Sequence, residues 1–222
     1  KADPVYIEEE KRYYQTAKQH LLLSLLEKEE GEDLWTAPDD VNPYLWQHQQ
    51  TNHIAGIFSL SGKELVMAGG VDIATILFAK SKTGWVIVDT GASVEAARYC
   101  MELAEKATGE QIAGKIRGVV YSHSHFDHFA GVGAFIPDEN NPENIPVIAP
   151  VQFEESKIED HLYAGVAMSR RLQYQAGILN QEDTLKKKLS TPILQGAYSY
   201  VEPNTWIDTS KTLEVDGLTI DF

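Results

Sequence analysis

The chain has 222 residues, of which 43% are hydrophobic and 9% aromatic, a composition typical of a globular protein with one large domain. It carries 33 acidic and 19 basic residues, a formal net charge of −14, and it lacks the clustered Lys and Arg that bind a nucleic-acid backbone. No apolar run approaches the ~20 residues of a membrane span, so we predict neither a nucleic-acid partner nor a transmembrane segment.

The first predicted element is a helix over residues 6–30. Tyrosines and leucines recur there at roughly helical spacing among many charges, and Gly31 follows the pattern as a stop signal. Residues 36–43 contain two prolines and two consecutive aspartates, which is typical of an irregular connection. We therefore predict an N-terminal helical arm, residues 1–40, and a main domain over residues 41–222.

Short apolar or alternating runs then follow one another, separated by glycines, and they predict strands joined by tight turns. Ser93 is a plausible N-cap for a helix that ends near Gly109, and residues 153–176 carry a second helical pattern. Asp216 and Gly217 are typical of a hairpin turn. The predicted strands occupy residues 56–60, 64–68, 74–79, 85–89, 116–121, 146–149 and the two arms of 212–222. This order predicts layered α/β packing.

Cys100 is the only cysteine, which excludes an intrachain disulfide and a thiolate metal site and favours a small helix-face hydrophobe. The only notable cationic run, three lysines at 186–188, is typical of a solvated helix face. The chain begins with Lys1 and shows no signal-peptide pattern. A processed or trimmed product is therefore expected, and the compartment stays undetermined.

A cluster of metal-binding residue types follows the predicted strand 116–121. Three of the seven histidines and one aspartate, His123, His125, Asp127 and His128, fall within six residues. Side chains two apart in an extended segment point the same way, so His123 and His125 can converge on one ion. A turn at Phe126 would bring Asp127 and His128 to a second position nearby.

Imidazole and carboxylate are the ligands that zinc or iron prefers. Two such ions roughly 3.5–4 Å apart can deprotonate a water between them, which then acts as a nucleophile. A single surface histidine would carry almost no information, but four candidate ligand residues at the spacing H-x-H-x-D-H after an apolar strand indicate a metal site.

At His123, His125, Asp127 and His128 the sequence resembles the metallo-β-lactamase superfamily. Flanking segments resemble its alkylsulfatase branch, and the resemblance covers most of residues 40–222. These segments are Asn-Pro-Tyr-Leu-Trp at 42–46, Ile-Ala-Gly-Ile-Phe at 54–58, Asp-Ile-Ala-Thr-Ile at 72–76, Gly-Trp-Val-Ile-Val-Asp-Thr at 84–90 and Gly-Val-Ala-Met-Ser-Arg-Arg at 165–171 with Tyr174 and Gly177.

The resemblance implies an αββα sandwich, of which this chain would supply the first half plus the helical arm. It implies that His123 and His125 ligate one zinc, that Asp127 and His128 ligate a second, and that Asp127 is the candidate catalytic residue. Asp89 would then support the metal site, although a plain helix-entry turn explains that residue equally well. A periplasmic or secreted location rests on the resemblance alone.

The family completes its dinuclear site with downstream acidic ligands and a histidine, and no histidine follows His161 here. The resemblance therefore implies the N-terminal portion of a larger enzyme, with homodimer formation through regions beyond it. Two ligands per metal fall below the three typical of catalytic zinc, so the chain by itself is expected to bind metal weakly and to turn over poorly.

Other candidates in the sequence stay open. Arg170 and Arg171 could bind a sulfate group or form ion pairs with neighbouring acidic residues. The acidic neighbours of His161 favour a position on a solvated helix face over a role as metal ligand. The leading hypothesis is metal-dependent hydrolysis of alkyl sulfate esters. The alternatives are a thioester or lactam hydrolase of the same fold and a non-catalytic metal-binding fragment.

Overall fold

The computed structural model describes residues 4–25, 35–39, 41–175 and 196–222. Its helices are α1 Pro4–Gln19, α2 Pro43–Asn52, α3 Val94–Thr108, α4 Phe126–Phe129, α5 Phe153–Ile158 and α6 Gly165–Gln175, with a 3-10 turn at Val132–Ala134 and a π-turn at Glu159–Tyr163. Its strands are β1 Leu21–Ser24, β2 Gly56–Ser61, β3 Leu65–Gly69, β4 Ile76–Lys80, β5 Trp85–Val88, β6 Ile116–Val120, β7 Val147–Pro150, β8 Thr205–Ile207, β9 Thr212–Val215 and β10 Leu218–Asp221. In these ranges no helix is long and apolar enough to cross a bilayer.

Eight strands form one mixed sheet in the order β1 to β8. Neighbouring strands from β1 to β5 are antiparallel, and those from β5 to β8 are parallel. The change falls where α3 connects β5 to β6, because parallel strands need a crossover connection. Strands β9 and β10 form a separate two-stranded sheet.

The large sheet is covered on both faces. One face packs its buried side chains, such as Ile87 and Val119, against α3 residues that include Ala97 and Ala104. The opposite face places Val86 and Val120 against Val215 of the hairpin. The helical layer, the sheet and the hairpin therefore give the layered α/β arrangement that the sequence predicts.

The predicted caps of α3 are confirmed. Ser93 has an extended backbone and accepts a hydrogen bond from the N–H of Ala96, while Gly109 ends the helix with φ 78°. Each cap satisfies a backbone group that the helix itself leaves unpaired. Cys100 is buried on this helix, as predicted, and burial raises the pKa of its thiol to about 12.

The predicted helix over residues 6–30 is wrong over residues 20–25. Leu21–Ser24 forms β1, which pairs antiparallel with β2, and residues 26–34 lie outside the described ranges. Alternate burial along Leu21–Ser24 is the period of a strand, and pairing with a neighbouring strand overrides the local helical pattern. The division at residue 40 stays a prediction, although β1 belongs to the main sheet.

Residues 42–46 open α2, with Asn42 as N-cap and Pro43 in the first turn. One further element differs from the prediction. The helix predicted over 153–176 is interrupted by the π-turn Glu159–Tyr163 between α5 and α6, and residue 176 lies outside the described ranges. The backbone N–H of Ala164 donates to Glu159 O at 3.1 Å, which is the i→i+5 bond of a π-turn.

The predicted hairpin turn at Asp216-Gly217 is confirmed, and it is tied to the β4–β5 turn. Asp216 and Gly217 have φ values of 48° and 77°, as a type I′ turn requires. The Asp216 carboxylate accepts from Ser81 Oγ at 2.7 Å and from the backbone N–H of Thr83 at 2.6 Å. These hydrogen bonds lower the pKa of Asp216.

We expect Asp216→Ala to lower the melting temperature by about 3–6 °C, because alanine loses the hydrogen bonds and is strained at positive φ. Asp216→Asn is the matched control, since asparagine keeps the turn geometry. Folding lowers the pKa of Asp216, so its stabilisation is present at neutral pH and is lost as the pH falls below about 3.8. Thermal unfolding, followed by circular dichroism, measures the melting temperature of each variant and its dependence on pH. Equal melting temperatures for Asp216→Ala and the wild type would contradict the expectation.

Candidate metal centre

The ends of the parallel strands β5 and β6 place Asp89 beside the start of the motif. The backbone N–H of Asp89 donates to Val120 O at 2.8 Å. The Asp89 carboxylate accepts hydrogen bonds from the backbone N–H and the hydroxyl of Ser122, both at 2.8 Å. Asp89 has φ 59°, a left-handed conformation in which Asp is enriched, and the carboxylate is thereby fixed at the sheet edge.

His123 and His125 form the first pair of candidate ligands. His123 Nε2 lies 3.0 Å from His125 Nδ1. The outer nitrogen of His123, Nδ1, lies 2.9 Å from Ser122 Oγ. The outer nitrogen of His125, Nε2, lies 3.8 Å from Asp160 Oδ2. Each ring therefore has a polar partner on its outer nitrogen and turns its other nitrogen toward the second ring.

Asp127 and His128 form the second pair, on the short helix α4 that begins after His125. His128 Nδ1 lies 2.7 Å from Asp89 Oδ2, and His128 Nε2 lies 3.4 Å from Asp127 Oδ2. The ring centroids of His123 and His128 are 4.0 Å apart. The structure thus brings all four predicted residues together as two adjacent pairs.

The donor atoms of both pairs have spacings that suit a bound metal ion. Two ligand atoms about 2.0–2.1 Å from one tetrahedral zinc lie about 3.3 Å apart, close to the separation of the two atoms in each pair. With their protons on the outer nitrogens, His123 and His125 turn two lone pairs toward each other, and a cation between them removes that repulsion. The residues present therefore fit two ions, each with two ligands.

A complete site is not found within the described residues, where no group of three or more His, Cys, Asp or Glu side chains is arranged to hold an ion. Catalytic zinc typically takes three protein ligands, so the two donors of each pair would leave an ion one ligand short.

The charges of the second pair are coupled. Burial by itself lowers the pKa of His128, but hydrogen bonds to Asp127 and Asp89 and the charges of both carboxylates raise it to about 9. Burial, followed by repulsion from His128 and His125, lowers the pKa of His123. In the metal-free chain at neutral pH, His123 is therefore a neutral imidazole, and His128 carries a proton at the position that a metal ion would take.

The backbone packs tightly where α4 meets the Asp89 loop. Thr90 N–H donates to His128 O at 2.9 Å, and Gly131 N–H donates to Gly91 O at 3.1 Å. A Cβ on Gly131 would lie 2.0 Å from Thr90 O, which is far inside contact distance. Glycine is therefore required at residue 131, and the close approach fixes α4 against the loop that carries Asp89.

A cavity of about 640 Å³ opens beside the cluster. Its wall combines residues of the motif with apolar residues of α6 and the π-turn, and with one arginine. The lining residues are Ile73, His125, Phe126, Asp127, Asp160, His161, Leu162, Gly165, Val166, Met168, Ser169, Arg171 and Leu172. The cavity therefore joins a largely apolar wall to the candidate ligands His125 and Asp127.

Several residues of the site were not singled out from the sequence. The buried hydroxyl of Ser124 donates to Asp160 Oδ2 at 2.9 Å, and Ser122 links Asp89 to His123. Ser122 directly precedes the motif and Ser124 lies inside it, so their small polar side chains beside the histidines are a usable signal. Asp160 lies in an acidic stretch typical of a solvated helix face, and no local signal distinguishes it.

The remaining candidates take different positions. His161 lies outside both pairs, since its Nδ1 is 2.7 Å from Lys157 O and its ring meets Phe126 and Phe129 edge-on. Arg171 lines the cavity, and Arg170 is exposed on the same helix.

Comparisons with known proteins agree with this geometry. Residues 69–151, which run from β3 to the end of β7 and include the motif, match the model of the metallo-beta-lactamase superfamily. This part of the chain, which holds the sheet edge and the motif, is therefore similar to the metallo-β-lactamase superfamily.

Over a longer part of its length, the chain is similar to alkylsulfatases. It is 33% identical over 192 residues to an (R)-specific secondary-alkylsulfatase of a Pseudomonas species, a match covering 84% of this chain and 28% of the relative. It is 34% identical over 145 residues to an alkyl/aryl-sulfatase of Saccharomyces cerevisiae, covering 65% of this chain and 22% of the relative. The chain thus spans about a quarter of the length of these relatives.

A solved structure shows the same fold. The stereoselective inverting sec-alkylsulfatase Pisa1 of a Pseudomonas species matches with a TM-score of 0.77 and 28% identity, covering 100% of this chain and 39% of that one. The alkylsulfatase resemblance and the α/β fold class expected from the sequence are therefore confirmed.

Proposed function

We propose that the protein is a metal-dependent hydrolase of alkyl sulfate esters, and that this chain supplies four ligands of a dinuclear zinc centre. One observation carries the proposal: a pair of imidazoles and a second pair of one imidazole and one carboxylate lie beside a largely apolar cavity, in a chain that is similar to alkylsulfatases.

His123 and His125 would hold one ion, and Asp127 and His128 the other. Divalent metal ions supply positive charge for an anionic substrate and activate water at neutral pH. The protein's contribution is orientation, because Asp89 holds the outer nitrogen of His128 and Ser122 that of His123. Asp127 also lines the cavity, so its carboxylate can accept a hydrogen bond from the attacking water.

The cavity fits the two chemical parts of an alkyl sulfate. Leu162, Val166 and Leu172 offer an apolar wall for the alkyl chain. Arg171 lies on the same wall, and a guanidinium can bind a sulfate group through two parallel hydrogen bonds. The formal net charge of −14 opposes an anionic substrate, so Arg171 and the bound ions would have to offset that field locally.

The proposal is tested with the full gene product on medium-chain alkyl sulfates, with and without a metal chelator. We expect sulfate release that the chelator abolishes and that added zinc restores, because the ions activate the water. Chelator-insensitive release would overturn the proposal.

A substrate panel separates this activity from the related alternatives. Turnover of thioesters or lactams without sulfate release would identify a different hydrolase of the same fold. Metal analysis of the purified protein is expected to give close to two zinc ions per full-length chain, and zinc-loaded protein without turnover on any ester would indicate a non-catalytic metal-binding protein. The resemblance also implies a homodimer, and light scattering of the same sample measures the molar mass that tests it.

A further inference from the structure

Asp160 contacts the outer side of the first ligand pair. Its carboxylate oxygen Oδ2 accepts from Ser124 Oγ at 2.9 Å and lies 3.8 Å from His125 Nε2. The side chain of Asp160 is 34% exposed and that of His125 is 39% exposed, so the contact lies at the rim of the cavity. Both residues line that cavity.

The contact involves the ring nitrogen of His125 that does not face the other candidate ligand. His125 Nδ1 is the atom 3.0 Å from His123 Nε2, so Nε2 lies on the opposite side of the ring. A carboxylate near Nε2 favours a proton there, which leaves a lone pair on Nδ1. Asp160 therefore favours the tautomer in which Nδ1 can bind a metal ion.

We propose that Asp160 is a positioning residue that acts through His125, holding its ring and tautomer for metal binding. This inference rests on the proposed metal centre. It assigns to His125 the kind of support that Asp89 gives His128, where a carboxylate lies 2.7 Å from the outer nitrogen. The two carboxylates come from distant segments, so each ligand pair has its own outer carboxylate.

The π-turn explains how an acidic residue of a long helical segment comes to meet the cluster. The bond from Ala164 N–H to Glu159 O closes a wider turn than an α-helix. Asp160 within this turn reaches Ser124, while the neighbouring Glu159 is exposed. Wider turns of this kind occur frequently at functional sites.

A simpler explanation is that Asp160 only ties the π-turn to the motif through Ser124. The two roles differ in their dependence on charge, since Asp160→Asn can still accept the hydrogen bond from Ser124 but lacks the negative charge that favours a proton on His125 Nε2. Glu159→Gln is the matched control, because it removes one charge from the same turn at an exposed side chain.

The experiment measures zinc affinity of the full gene product by competition with a chromophoric chelator, together with the visible spectrum of the cobalt-substituted protein. We expect Asp160→Asn to weaken zinc binding about 10-fold and to alter the cobalt spectrum, and Asp160→Glu to recover part of the loss. Glu159→Gln should match the wild type in both measurements.

The outcomes separate the two proposals. If the wild type binds zinc and Asp160→Asn behaves like Glu159→Gln, the positioning role is wrong and the metal centre stands. If Ser124→Ala weakens zinc binding as much as Asp160→Asn does, the tie between turn and motif explains the effect and the positioning role is again wrong. A wild type that takes up no zinc overturns the metal centre, and the role of Asp160 with it.

Discussion

Replacing His123 and His125 together by alanine in the full gene product is expected to empty the first metal position and to lower sulfate release by about a thousandfold or more. The two side chains present their nitrogens to each other 3.0 Å apart, and alanine removes both. Metal activation of water contributes several kcal/mol to catalysis, and each 1.36 kcal/mol corresponds to a factor of ten in rate.

Metal content and sulfate release are measured on the same preparation. His48→Ala is the matched control, since it removes one imidazole from the exposed surface of α2 and should change neither quantity. Undiminished release in the double variant would show that the histidine cluster is not the catalytic centre. Normal metal content with no release would instead place the ions elsewhere in the protein.

Replacing Asp89 is expected to have the second largest effect, a loss of zinc affinity of about 10–100-fold for Asp89→Asn. The Asp89 carboxylate holds His128 Nδ1 at 2.7 Å and accepts two hydrogen bonds from Ser122. Asparagine tolerates the left-handed backbone at φ 59°, so this variant removes the charge with little added strain. Zinc competition measures the loss.

Asp216→Asn serves as the control for Asp89→Asn. Asp216 is also an aspartate at positive φ that accepts from a backbone N–H and a hydroxyl, but it lies in the hairpin, away from the motif. The zinc affinity of the Asp216→Asn variant should match that of the wild type. If both variants bind zinc as the wild type does, Asp89 is only a turn residue, which is the alternative that the sequence left open.

Local signals in the sequence predicted much of the fold. The caps Ser93 and Gly109 and the turn Asp216-Gly217 act through their own backbone conformations, which depend little on distant residues. The positions of the four motif side chains also depend mainly on local geometry, because six consecutive residues that follow a strand can adopt few arrangements. The sequence could therefore predict which side chains gather at the sheet edge.

Long-range contacts decided the rest. Leu21–Ser24 continues a helical pattern but becomes β1 because β2 offers unpaired backbone groups beside it. The π-turn in residues 159–163 has no local signature, so the contacts of Asp160 with Ser124 and His125 could not be read from the sequence.

The sequence by itself determined the donor types, their spacing and the strand that presents them, since these follow from chain-local geometry. Only the tertiary structure decided which carboxylates contact the outer side of the candidate ligands. Asp89 and Asp160 are 39 and 36 residues from the partners they contact, His128 and Ser124. Packing of the β5 end and of the π-turn against the motif brings those charges within contact distance, and no local pattern encodes that packing.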